Sequence, residues 1–209
     1  MKKRLLLPCL MTALCVLFSG CAALAAMGLM GASQATAKVE VYEDVTAYSD
    51  FFGDGAKEEY RGLLDMDQSV FPAAISENMD VREFKMVYYN PWDPQYLCYL
   101  TVQYTPETYR AEQDRLASCP HTAYRGIYSV TGFAGEGEPL AMSADEYHGF
   151  VYAIPTPGQE NSVTYVLIAF CSYFMDFDYT DYIPASYLPE GFDAAEGNPY
   201  QRAHSPAGL

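Results

Sequence analysis

The chain is poor in bases. Only 12 of its 209 residues are Lys or Arg, against 27 Asp or Glu, and three of the 12 are Lys2, Lys3 and Arg4. No acid precedes Glu40, so the sequence after Arg4 holds nine bases against all 27 acids, a net charge of −18. Nucleic-acid binding needs clustered cations to displace phosphate counterions, and no such cluster exists here. Nucleic acid is excluded as a partner, and the same repulsion excludes binding of the domain body to anionic headgroups. Acidity on this scale confers solubility, and it favours cations and basic peptides over anions as ligands.

Other absences narrow the chemistry. No C-x-x-C or H-x-x-x-H pair is available to hold zinc, and no Ser sits in a G-x-S-x-G context. Of six cysteines, Cys9, Cys15 and Cys21 lie near the N-terminus, leaving Cys98, Cys119 and Cys171. That odd number gives no disulfide framework, and Cys98 with Cys171 is the one pairing considered, against their reading as small core hydrophobes. Cys119-Pro120-His121 has the residue types of a nucleophilic pair. Pro120 turns the two side chains apart and a helix end raises the thiol pKa, so the tripeptide reads as a helix stop.

Three further stretches imitate known sites. Asp145-Glu146-Tyr147-His148 reads as surface charge pairing. In Gly132–Gly137 the acid Glu136, with Glu138 and Pro139 just beyond, defeats a phosphate loop. An EF-hand loop from Asp176 requires Gly and Glu where Asp181 and Tyr187 stand, so Asp176–Asp181 reads as an edge strand with its acids in water. Leu188-Pro189-Glu190-Gly191 is similar to a sortase signal but lacks the Thr before Gly and the apolar and basic segments behind it. No cofactor and no metal are expected, and no catalytic residue is assigned.

What the chain does have is a leader. Lys2, Lys3 and Arg4 precede an uncharged, largely apolar run from Leu5 to Phe18, followed by Ser19-Gly20-Cys21. The cations stay on the cytosolic side of an inside-negative membrane, so the chain beyond the run is placed outside. Fourteen residues are too few to span a hydrocarbon core that needs roughly 20, but they suit the apolar region of an export signal. Leu17-Phe18-Ser19-Gly20-Cys21 resembles the lipobox of bacterial lipoproteins, with Phe18 where that family usually has Leu. The resemblance implies cleavage before Cys21 and a diacylglycerol on its thiol, two acyl chains that hold a protein firmly on a membrane. Two other readings remain open: an uncleaved helix from Leu5 to Gly31, or cleavage after Ala35-Thr36-Ala37 and release. Beyond the leader the chain has the general look of uncharacterised exported bacterial proteins.

The organisation read from the sequence is a signal peptide over 1–20, a lipidated cysteine and flexible tether over 21–45, an acidic Tyr-rich domain over 46–190 and an irregular tail over 191–209. All 19 tyrosines lie outside the signal, many beside β-branched residues, which favours sheet. A helical region is expected over 46–64, broken at Gly53-Asp54-Gly55. Glu83–Tyr89 alternates, with Phe84, Met86 and Tyr88 on one face and Glu83, Lys85 and Val87 on a wet one. Asn90–Pro94 turns it into a second strand over 96–104. Thr105-Pro106-Glu107 caps a helix that runs to Ser118 before Pro120. Further strands are expected over 124–131, near Leu140, over 148–154 and over 163–171, the last buried on both faces.

The fold class is therefore α+β: one domain with a mainly antiparallel sheet and one or two helices packed on a face. The sole tryptophan, Trp92, sits in a proline-bracketed turn with Tyr89 and Tyr96 nearby. These three rings either fold back onto the sheet edge, the reading preferred for Trp92, or stack on sugars or a protein partner. The function read from this is a membrane-anchored extracytoplasmic domain that binds an envelope protein, peptide or glycan. The alternative is an envelope hydrolase with paired carboxylates, which leave no short motif.

Overall fold

Runs of Tyr, Val and other β-formers become six strands. In this computed structural model, which describes residues 37–77, 79–134, 137–171 and 173–205, they are β1 (Glu40–Tyr42), β2 (Asp80–Tyr89), β3 (Gln95–Gln103), β4 (Ala141–Asp145), β5 (Gly149–Pro155) and β6 (Ser162–Ala169). All neighbours are antiparallel, in the order β1-β2-β3-β6-β5-β4. Helices α1 (Tyr48–Phe51), α2 (Pro106–Ala117) and α3 (Pro199–His204) complete an α+β domain. The central position of β6 follows from its composition: all eight of its residues are buried, so the strand needs a cover on each face.

The first cover consists of α1, α2 and the chain between residues 45 and 71. Tyr48, Phe51, Phe52, Phe71 and Leu116 pack there on Met86, Cys98, Leu100, Tyr165 and Leu167. The second cover is less regular. Tyr128, Met175, Tyr179, Ile183, Tyr187, Phe192 and Tyr200 close over Val87, Leu97, Tyr152, Val166 and Ile168. Helices α1 and α2 share one face as the sequence suggests, while α3 joins the other through Tyr200.

Local signals explain α2. Thr105 Oγ1 accepts from the Thr108 amide at 3.2 Å and Thr108 Oγ1 accepts from the Thr105 amide at 2.9 Å, a reciprocal cap that satisfies two amides. Pro106 occupies the first turn, and Ser118 closes the helix ahead of Pro120. On its inner side Arg115 donates to the carbonyls of Ser69 and Val70 at 2.7 and 2.8 Å, fixing α2 to the first cover.

The structure departs from the sequence reading at six places. The 46–64 region is not one helical pair but a chain of short turns around α1, at Val45–Ala47, Glu58–Tyr60 and Leu63–Asp65. Gly53, at φ +78°, sets the break, because any Cβ there would collide with the Ala73 carbonyl. The expected wet face of β2 is covered: Val87 is fully buried, and Glu83 accepts from the Tyr187 hydroxyl at 3.0 Å. No strand forms over 124–131, since Tyr128 and Ser129 adopt φ +47° and +65°. Asp176–Asp181 is a loop and a Tyr179–Asp181 turn capped by Asp178, not an edge strand. Finally, Glu40–Tyr42, assigned to the tether, pairs with β2 as β1, and the tail assigned as irregular contains α3.

Candidate binding surface

Antiparallel register places one set of connections at a single end of the sheet. Tyr89 faces Gln95, Tyr96 faces Ala169, Ala169 faces Gly149, and Gly149 faces Asp145. The β2–β3 turn, the β4–β5 turn and the exit of β6 therefore lie together, and Glu40, where β1 begins, is opposite Tyr88 at the same end. Chain from the second cover closes in as well. Phe170 N–H donates to the His148 carbonyl at 3.1 Å, and Asn198 Nδ2 donates to the Tyr173 carbonyl at 2.8 Å.

This end holds both of the large aromatic side chains that remain exposed among the described residues, Trp92 at 55 % and Tyr147 at 40 %. Trp92 does not fold back on the sheet edge. Pro91 and Pro94 stiffen its turn, and Asn90 Nδ2 donates to the Tyr88 hydroxyl at 3.0 Å. Tyr147 stands edge-on to Tyr173 and to His148, each with ring centroids 5.0 Å away. Of the two other aromatic candidates, Tyr89 is half-buried against Phe177 and borders the surface. Tyr96 is 2 % exposed, beneath Tyr88 in the first core, and offers no contact to a partner. Sequence reasoning missed Tyr147, because pairing β4 with β5 is what brings it to the Trp92 end. Its signal was the Asp145–His148 turn: the Asp145 carboxylate accepts from the amides of Tyr147 and His148 at 2.8 and 2.7 Å and turns the tyrosine outward.

Carboxylates surround these rings. Burial alone would raise the Asp145 pKa, yet the two amides and the His148 ring hold it below its usual value. Asp176 accepts from Gln95 Nε2, and its amide donates back to Gln95 Oε1 at 2.9 Å. Its pKa is raised, first by partial burial and then by the charges of Glu196 and Asp93. The Cys171 thiol is also pushed up, by burial and by Asp93. Asp93 adjoins Trp92 in its turn, and Gln95, two residues on, holds Asp176 close to that turn.

Elsewhere, a groove of about 680 Å³ runs between residues 45–55 and 73–75, lined by Val45, Phe52, Ala73 and Ile75 and bearing Asp54. A second groove adjoins it at Phe52 and Ala73 and bears Glu112. Glu112 is engaged by Arg115, through Nε at 2.9 Å and Nη2 at 2.6 Å, and by the Tyr165 hydroxyl, so neither groove carries two free carboxylates. Cys98, Cys119 and Cys171 are all free thiols, so the Cys98–Cys171 pairing does not form. Burial pushes the Cys98 thiol well up, which makes it inert. Cys119 lies beyond the end of α2 with its Sγ 3.6 Å from the Arg115 carbonyl, and the His121 backbone forms a β-bridge to Met142. Among the described residues no group of three His, Cys, Asp or Glu side chains is arranged to hold a metal ion.

No protein-family model, no curated protein and no solved structure matches this chain. The signal segment, Cys21 and most of the tether lie outside the described residues. Among the described residues no helix is long and apolar enough to cross a membrane.

Proposed function

We propose that this chain is a membrane-anchored extracytoplasmic binding module of the bacterial cell envelope, non-catalytic, that engages a partner through the aromatic end of its sheet. The observation that carries the reading is the exposure of Trp92, at 55 %, on a turn braced by two prolines and a hydrogen bond. Large aromatic rings normally bury, so a rigid and exposed one is a ready anchor for binding. A second exposed ring, Tyr147, stands at the same end. Half-buried Tyr89 ends β2 beside the Trp92 turn, and Tyr96 packs in the first core.

The anchor follows from the leader: Lys2, Lys3 and Arg4, the apolar run and the lipobox-like Cys21. A diacylated cysteine confines the domain to the envelope, where an anchor ring meets partners at high effective concentration. Metabolic labelling with a clickable fatty acid tests this. The wild type should take label and stay with membranes, and Cys21→Ala should lose both. Equal release of the two proteins into the medium, without label on either, would refute the anchored reading.

A further inference from the structure

We infer that the partner segment is a cationic peptide, with lysine or arginine head groups lying over the Trp92 and Tyr147 rings and beside Asp93, Glu146 and Glu196; this rests on the reading of the aromatic end as the binding surface. Trp92 offers a ring face on a turn that has little freedom left to lose on binding. A cation over an indole or phenol ring gains from the ring quadrupole, and an adjacent carboxylate adds a direct charge attraction.

The carboxylates are placed for this. Asp93, Glu146 and Glu196 have exposed side chains with no hydrogen bond or ion pair among the described residues. Asp93 adjoins Trp92 and Glu146 adjoins Tyr147, while Glu196 lies between Ala194 and Asn198, whose bonds to Met175 and Tyr173 bring it to the same end of the sheet. Their mutual repulsion is relieved by a bound cation, whereas a neutral sugar stacked on the same rings leaves it in place. Spacing agrees with a peptide. The two turns are three strand positions apart, about 14 Å, which roughly four extended residues cover. Across the whole chain beyond Arg4 the net charge of −18 steers cations inward.

Fluorescence anisotropy of a labelled octalysine peptide, titrated with full-length protein in neutral detergent, tests the inference. Binding should saturate and weaken steeply with salt. Trp92→Ala and the triple variant Asp93→Asn/Glu146→Gln/Glu196→Gln should each weaken it about tenfold. A control triple removing equal charge at the opposite end of the sheet, Glu77→Gln/Glu107→Gln/Glu160→Gln, should change it less than about twofold. Circular dichroism establishes that each variant remains folded. Equal weakening by both triples would mean that only the general field attracts the peptide, and the inference would fail. Absence of saturable binding at low salt would end it as well. Binding of a neutral chitin tetramer that requires Trp92 and ignores salt, with no octalysine binding, would overturn the cationic ligand while sparing the surface.

Discussion

Tyrosine serves both the interior and the surface of this protein. Buried rings find partners for their hydroxyls: Tyr152 donates to the Tyr187 carbonyl at 2.7 Å, and Tyr128 to the Glu146 carbonyl at 3.0 Å. Within the second face Thr101, Thr164, Thr156 and Ser162 form a hydroxyl chain with steps of 2.9 to 3.0 Å. Among the described residues no buried side-chain polar atom lacks a partner, so burying these groups leaves no unmet desolvation cost. Asp176 differs: the residue is exposed, yet partial desolvation of its carboxyl and the acids around it raise its pKa. Its raised pKa means the folded state holds its proton more tightly than the unfolded chain, so stability falls as pH rises from about 4 through the folded value. Asp176→Asn keeps an acceptor for Gln95 and removes the charge. The variant should therefore be more stable than wild type at pH 7 and match it more closely near pH 4, read from urea midpoints across that range; a wild-type advantage at pH 7 would contradict this. Side-chain identity alone could not tell the exposed Trp92 from the buried Tyr96, because both are amphipathic rings near a turn. Strand pairing decides it, by pointing Tyr96 with Cys98 and Leu100 into the first core.

At the scale of elements, what was legible in the sequence is what local chemistry controls. The second helix was readable to its ends because Thr105, Pro106 and Pro120 act within a few residues of the backbone they direct. Removing the cap by Thr105→Ala should cost about 1 kcal/mol, measured as a lowered urea midpoint with unchanged slope. No loss would show that the cap is redundant with the Arg115 contacts to Ser69 and Val70. The hairpin β2–β3 was equally legible from alternation and turn residues, as was the burial of β6 from its two apolar faces. Residues 124–131 were not. Their backbone turns through positive φ at Tyr128 and Ser129 and pairs with the 189–193 segment, Thr131 N–H donating to Glu190 at 2.9 Å and Asp193 N–H to Tyr128 at 3.0 Å. Such partners are about sixty residues away, and a local window cannot register them. The short turns of 45–65 have the same origin, since packing against Met86 and Leu100 holds them where helix propensity does not.

For the whole molecule, antiparallel register gathers at one end what the sequence disperses over some fifty positions, Trp92 and Tyr147 among them. Acidity and aromatic exposure coincide there, and β1 begins there too. The proposed binding surface requires that a stiff turn present Trp92 to solvent. As the chain's sole tryptophan, it can be followed without labels. Acrylamide quenching of its fluorescence in the native protein should approach that of the urea-unfolded chain, with emission near that of indole in water. A blue-shifted, strongly protected signal would mean that the ring is buried, and the proposed binding surface would not exist.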